Sequence, residues 1–320
     1  MKSTLGGRSH RPHRPMRERT RRPVHRFSPT KGAEPSRGAH VNIIVLGGAE
    51  EVGRNCTLIE YKNDIILIDC GLQFPEEDMP GIDYVIPNIS YLKGKERNVR
   101  GMVITHGHYD HIGGIDHIAP KLGNPPVFGT KLTVGIIKKR HADFEHLGAL
   151  DLHIIDPDRP IRLGAFTIEF FRVNHNIPDC VGMVVKTPEG NIMHTGDMKF
   201  DFTAVIDQPA DFGRIATLGK QGVHLLLSDS TNANKPGHQL SESEIGKELE
   251  KIFTQAEKRI IVATFSSLLS RVQQVIWLTQ KYKRRLVIEG FSMRTTTEVA
   301  HQLGYLNIPK DLLISPQQAN

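Results

Sequence analysis

Cysteine, tryptophan and long apolar runs are all scarce in these 320 residues, and each scarcity excludes a class of protein. Three cysteines, Cys56, Cys70 and Cys180, stand far apart. They form neither a disulfide framework nor a CxxC metal knuckle, and are expected as reduced, packed thiols. No apolar run approaches the about 20 residues of a membrane span, and the amino terminus has no apolar core before a small-residue cleavage site. A protein that is neither exported nor membrane-bound is expected, hence one of the cytoplasm. Aromatic residues make up 6% of the chain and there is one tryptophan, but hydrophobic residues reach 38% against 24% charged. That balance is enough for a substantial core in one large or two ordinary domains.

Acidic residues are nearly missing from one end. Residues 1–38 carry eleven Lys or Arg against Glu18 and Glu34, a net +9 that leaves −3 for the remainder of a chain of formal charge +6. Five prolines interrupt this stretch and almost nothing in it could enter a core. A disordered basic tail is therefore expected over 1–38. Its charge would attract phosphates through counterion release, without specificity; a solvated linker or an Arg-rich targeting peptide has the same composition.

From Val41 the texture changes to short β-rich runs at 41–46, 55–61, 64–70 and 101–105, separated by Gly, Asn and Asp turns. Helical patterns follow near 115–122 and 130–142. Strands are then predicted near 152–155, 165–173, 180–187 and 190–194. One layered α/β domain over 39–211 is implied. Beyond it, apolar runs at 223–228, 259–265 and 284–290 alternate with helical patterns from 242, near 267–282 and near 292–303. This alternation predicts a second α/β unit over 212–320, built on a parallel sheet, with a capping box at Ser241 and Glu244. The unit is expected to be incomplete.

The densest chemistry lies in THGHYDHIGG (105–114), directly after the apolar run GMVIT. His106, His108, Asp110 and His111 place four potential ligands in six residues, and imidazole with carboxylate is the set that suits Zn²⁺. Gly107, Gly113 and Gly114 permit the turns such crowding needs. The helical H-E-x-x-H spacing of another zinc site is absent. Two further stretches end apolar runs with ligand-type residues: FFRVNH (170–175) with His175, and NIMHTGD (191–197) with Asp197. Asp197 could face two ions with one carboxylate, and His194 is the alternative ligand. Asp69, in LIDCG (67–71), ends an apolar strand where a lone buried carboxylate would be costly, so a role supporting the ligand loop is expected. Asp229, in LLLSDSTNA (225–233), occupies the same position in the second unit.

Asp69, the His106-x-His108-x-Asp110-His111 run, His175 and Asp197 match in order the four motifs of the metallo-β-lactamase superfamily. Within it, GGAEEVGRNCTLIEY (47–61), GLQFPEEDMPGIDYVIP (71–87), NHNIPDCVG (174–182), HTGDMKFD (194–201) and LLSDSTNA (226–233) resemble the ribonuclease J family of bacterial β-CASP nucleases, with similarity over about 41–314. The resemblance implies an α/β fold, an αββα sandwich followed by the start of an inserted β-CASP α/β domain. It implies a zinc-dependent ribonuclease with 5′-to-3′ exonuclease and endonuclease activity in RNA maturation and decay. By the same carry-over, His106, His108, His175 and Asp197 would hold one Zn²⁺, and Asp110, His111 and Asp197 a second. Mn²⁺ could replace zinc. Asp69, Asp110, His111, Asp197 and Asp229 are the catalytic candidates. RNA with 5′-monophosphate ends would be the partner, with a homo-oligomer or other RNA-decay proteins also in view and no membrane.

Three departures qualify the likeness. The family's later His-bearing motifs, which include the last ligand of the second zinc, have no counterpart before residue 320. Leu268 and Ser270 stand where relatives often carry Asn and His, and Phe291 where an Arg is usual. A helix starting at Ser292 could still face a phosphate. Two other readings compete: a small-molecule hydrolase of the same fold, such as one for thioesters or lactams, and an inactive RNA-binding or partner subunit. SDSTNA disfavours the first.

Overall fold

Alternation of apolar side chains along the early strands sends every second residue to opposite faces, and the computed structural model, described here over residues 40–319, uses both faces. Strands β1 (Val41–Gly47), β2 (Cys56–Tyr61), β3 (Asp64–Ile68), β4 (Val99–Val103), β5 (Val127–Gly129) and β6 (Leu152–Ile154) form one sheet in sequential order. The first three pair antiparallel, the rest parallel. A second sheet runs β11 (Leu225–Leu227), β10 (Gly190–His194), β9 (Val181–Thr187), β8 (Phe166–Arg172), β7 (Ile161–Leu163). Its pairs are antiparallel except β10 with β11.

Ile66 and Ile68 on β3 meet Phe166, Ile168, Phe170, Met183 and Val185 of the second sheet in one apolar layer. Their neighbours Ile65 and Leu67 point to the other face, against Ile112, Ile115, Leu132 and Ile136. These come from α1 (Tyr109–Ile112), α2 (Ile115–Ile118) and α3 (Lys131–His141). Each such side chain contributes about 1.5–3 kcal/mol when fully buried. Leu218 of α4 (Phe212–Lys220) is buried on the far side. Two sheets back to back between helices give the expected αββα layering. The three cysteines are free and buried, as composition implied.

The region after 240 is helical: α5 (Glu242–Gln255), α6 (Leu269–Lys281) and α7 (Phe291–Gln302). Ser241 and Glu244 form the predicted capping box, each side chain accepting from the other's backbone N–H. The predicted parallel sheet is not formed among the described residues. The 223–228 run supplies β11, which joins the second sheet beside β10. The 259–265 run is not a strand, and the 284–290 run contributes a single bridge, Leu286 with Leu313. Apolar character alone does not make a strand: without a neighbouring ladder the backbone groups stay with solvent, and Ile261 is 87% exposed. β5, β7, the short α1 and α4 were not predicted; the first three are three or four residues long, too short for a periodic signal. The basic 1–38 stretch lies outside the described residues.

Candidate metal centre

The chain after β4 delivers Thr105 and His106, both buried, at the end of the first sheet, and α1 folds Asp110 and His111 back over them in a single turn. That turn is tied to the segment following β3. Cys70 N–H donates to His111 O at 2.8 Å, Leu72 N–H to Tyr109 O at 3.0 Å, and Gly114 N–H to Cys70 O at 2.8 Å. Gly71 lies so close that a Cβ there would fall 1.6 Å from Asp110 O, which demands glycine.

Asp69 sits at the centre of these ties, 1% exposed and with φ +62°, a left-handed conformation that few non-glycine residues adopt. Its Oδ1 accepts from Thr105 N–H at 2.8 Å. Its Oδ2 accepts from the Thr105 hydroxyl at 2.9 Å and from His111 Nδ1 at 2.7 Å. With the proton on Nδ1 committed to Asp69, His111 presents Nε2 on the opposite side. There it meets Asn55 Nδ2 at 3.1 Å, Asp110 Oδ2 at 3.4 Å and Asp197 Oδ1 at 3.4 Å.

His106 Nε2 lies 3.0 Å from His108 Nδ1. His175, three residues beyond β8, brings its ring within 4.9 Å of His108 and 5.2 Å of His106. Its Nε2 is 3.8 Å from Asp197 Oδ2. Asp197 thus turns one carboxylate oxygen to His111 and the other to His175. Two groups of donor atoms result, each within 4.8 Å mutually: His106, His108 and His175; and His106, His111 and Asp197.

The titration behaviour of these groups follows from burial among like neighbours. Burial, then repulsion from surrounding imidazoles, pushes His106 well below the ordinary histidine value. Burial and His175 bring His108 down to about 3, and burial lowers His175. For His111 burial opposes the charge, but Asp69, Asp110 and Asp197 overcome it and raise the imidazole well above its ordinary value. Burial raises Asp197 but the hydrogen bond and charge of His111 prevail, taking it down to about 2. His106, His108 and His175, neutral with free lone pairs, beside the ionised Asp110 and Asp197 carboxylates are a donor set that fits a divalent cation, and His111 joins it on releasing its proton. The buried His108 Nε2 has no hydrogen-bond partner among the described residues.

Asp69, Asp110, His194 and Asp229 stand outside the two donor groups, Asp110 touching the second only through its 3.4 Å approach to His111 Nε2. His194 accepts from Gly196 N–H at 3.0 Å through Nδ1, and so shapes the turn before Asp197. Asp229 accepts from Met198 N–H at 3.1 Å and Thr231 N–H at 2.7 Å; it holds the backbone just past Asp197. Two residues that contribute here went unmarked in the sequence, Thr105 and Asn55. Thr105 adjoins His106, and Asn55 lies in the GRNCTLIEY run, but neither residue type signals a metal site by itself. A cleft of about 780 Å³ opens over Asp69, Asp110, His111 and Asp197, walled by residues 47–52 and 226–232.

Residues 65–214 match the β-lactamase superfamily domain, and residues 257–320 match the ribonuclease J β-CASP domain. Ribonuclease J of Thermus thermophilus is 40% identical over 307 residues, covering 94% of this chain and 53% of that protein. The chain belongs to the ribonuclease J family. Ribonuclease J2 of Bacillus subtilis is 40% identical over 278 residues, covering 87% of this chain and 50% of its own length. The chain therefore spans about half the length of these curated ribonuclease J relatives. A crystal structure of a protein of unknown function from Enterococcus faecalis shares the fold at a TM-score of 0.63 and 16% identity, covering 87% of this chain and 74% of that one. His106 to Asp197 all fall within the β-lactamase match.

Proposed function

We propose that this chain is the metal-dependent catalytic part of a ribonuclease that hydrolyses RNA phosphodiesters, acting 5′-to-3′ and internally. The observation that carries this reading is the clustering of His106, His108, His111, His175, Asp110 and Asp197, drawn from three separate stretches, within a few ångströms of one another, with Asp110, His111 and Asp197 facing the cleft. His106, His108, His175 and Asp197 would hold one Zn²⁺, and Asp110, His111 and Asp197 the other, Asp197 serving both through its two oxygens. Mn²⁺ would satisfy the same donors. When bound, such a pair of cations acidifies water and stabilises the charge that builds on a phosphate during in-line displacement.

The protein's own residues supply orientation. Asp69 fixes the His111 tautomer through the Nδ1 contact, and Thr105 holds Asp69 in place with two bonds. Asn55 holds the Asp110 carbonyl by its backbone N–H at 2.9 Å and touches both Asp110 Oδ2 and His111 Nε2 through its amide. Asp229 acts on the 196–198 turn, a supporting rather than a ligating part. The +9 charge of residues 1–38 would draw RNA by counterion release, and 5′-monophosphate ends are the proposed preference. The chain is assigned to the cytoplasm on the same footing, with the sandwich over 39–211 and the β-CASP unit from 212; no described helix is long and apolar enough to cross a membrane.

Metal content and cleavage of 5′-monophosphorylated RNA, measured on the same preparation, test this reading. Two bound cations and turnover lost in Asp110→Ala and His111→Ala are expected. Thioester cleavage without RNA cleavage would replace it with the small-molecule hydrolase. RNA binding without turnover, and fewer than two cations, would replace it with the inactive subunit.

A further inference from the structure

The turn that carries His175 is gripped from two sides by the β-CASP-matching segment. On α6, the Ser270 hydroxyl reaches Asn176 O at 3.4 Å. Beyond α7, Tyr305 donates its hydroxyl to Asp179 Oδ2 at 2.7 Å. The same Asp179 oxygen accepts from Leu132 N–H at 3.1 Å, one of the orphan donors in the first turn of α3. The Asp179 carbonyl accepts from the Thr130 hydroxyl at 2.9 Å, and its N–H donates to Asp207 Oδ2 at 3.1 Å. Asp179 is thus held at its N–H, carbonyl and carboxylate alike, and it keeps a left-handed φ of +69°. A non-glycine residue stays in that region when its surroundings over-determine it. Between Asp179 and His175, Pro178 restricts the backbone and Ile177 is buried in the main core, so the turn is positioned as a unit.

We propose that Tyr305 is a positioning residue for the metal centre: by holding the Asp179 carboxylate against the start of α3, its hydroxyl fixes the 174–180 turn and with it the placement of His175 relative to His108 and Asp197. The inference rests on the metal-site reading above. It makes the β-CASP segment part of what shapes the cation site, although that segment contributes no donor to either group of ligand atoms. Burial and the Asp179 charge push the Tyr305 phenol up, so it stays a hydrogen-bond donor across the working pH range.

Cobalt(II) titration of the metal-free chain, read by its visible absorption, tests this without measuring turnover. Tyr305→Phe removes one oxygen and keeps the ring, and is expected to weaken cobalt binding about tenfold and to alter the band envelope, as loss of a supporting partner does. Tyr282→Phe is the control, because that hydroxyl bonds Glu250 and Thr254, both on α5 and neither in a donor group; its cobalt affinity and spectrum should match the parent. Asp179→Asn retains an acceptor oxygen and should bind within about twofold of the parent, whereas Asp179→Ala should lose as much as Tyr305→Phe. Parental affinity and spectrum in Tyr305→Phe, or an equal loss in Tyr282→Phe, would overturn the inference. If Tyr305→Phe does not fold, the two Asp179 variants decide: equal affinities refute it, and a loss confined to Asp179→Ala sustains it. A parent chain that binds no cobalt would instead refute the metal-site reading itself.

Discussion

Asp69 and His111 meet at 2.7 Å, carboxylate oxygen to Nδ1, with each side chain 2% exposed. A buried carboxylate is tolerated at such a place only when it is fully bonded, and here Thr105 provides the remaining partners. The contact sets which nitrogen of His111 is free, and several measurable consequences depend on it.

Asp69→Asn keeps the shape of the side chain and removes its charge. The amide can no longer accept from Thr105 and His111 at both atoms, so the imidazole loses its fixed tautomer. Metal affinity should fall about 10–100-fold, measured by competition with a chromophoric chelator; a variant that binds as tightly as the parent would refute the supporting role.

Gly71→Ala tests the tie between the β3 end and α1. The added methyl would lie 1.6 Å from Asp110 O, and the backbone there cannot yield without breaking the bonds at Cys70 and Leu72. Destabilisation of about 1–3 kcal/mol or more is expected from overpacking, read from urea midpoints. An unchanged midpoint would show that the 109–111 turn moves freely.

Acidification should weaken the metal-free chain. His106, His108, His175 and His194 all have lowered pKa values in the fold, burial being the first cause in each. Such groups take up protons on unfolding, so their contribution is complete above the unfolded value of about 6.5 and is lost as pH falls toward the folded values. His111 has the opposite sign: its raised pKa gives stability that is complete below about 6.5 and fades as pH rises through its folded value. Between pH 6.5 and 5 the four lowered groups set the slope, up to about 1.4 kcal/mol per pH unit for each one that protonates only on unfolding. Thermal midpoints of the chelator-treated chain should fall from pH 6.5 to pH 5.5, and a rise over that interval would contradict the assignment.

Metal removal should itself cost stability. A cation bound only by the folded state, present at a hundred times its dissociation constant, adds about 2.7 kcal/mol. Melting with and without EDTA should show a drop that zinc reverses. In the His175→Ala chain the drop should shrink, because one of the three imidazoles of the first donor group is gone.

The local sequence determined the donor types and the ends of strands that present them. HGHYDH follows an apolar run, and His175 and Asp197 likewise follow β8 and β10, so the strand-end position of each candidate ligand was legible from an apolar run and its interruption. The Ser241 capping box was legible for the same reason, since its partners are three residues apart. Tertiary structure alone decided which of these residues meet. Asp229 looked like Asp69 in the sequence, yet it bonds the 198 and 231 backbone while Asp69 bonds a ligand-type histidine, because β11 lies beside β10 rather than in a sheet of its own. Residues 259–265 have the composition of a strand but no neighbouring strand to bond, and no local pattern reports the absence of a neighbour. Thr105, Asn55 and Tyr305 act through contacts spanning 36, 56 and 126 residues of chain, and it is the packing of the two sheets and their helices that brings those partners within a hydrogen bond.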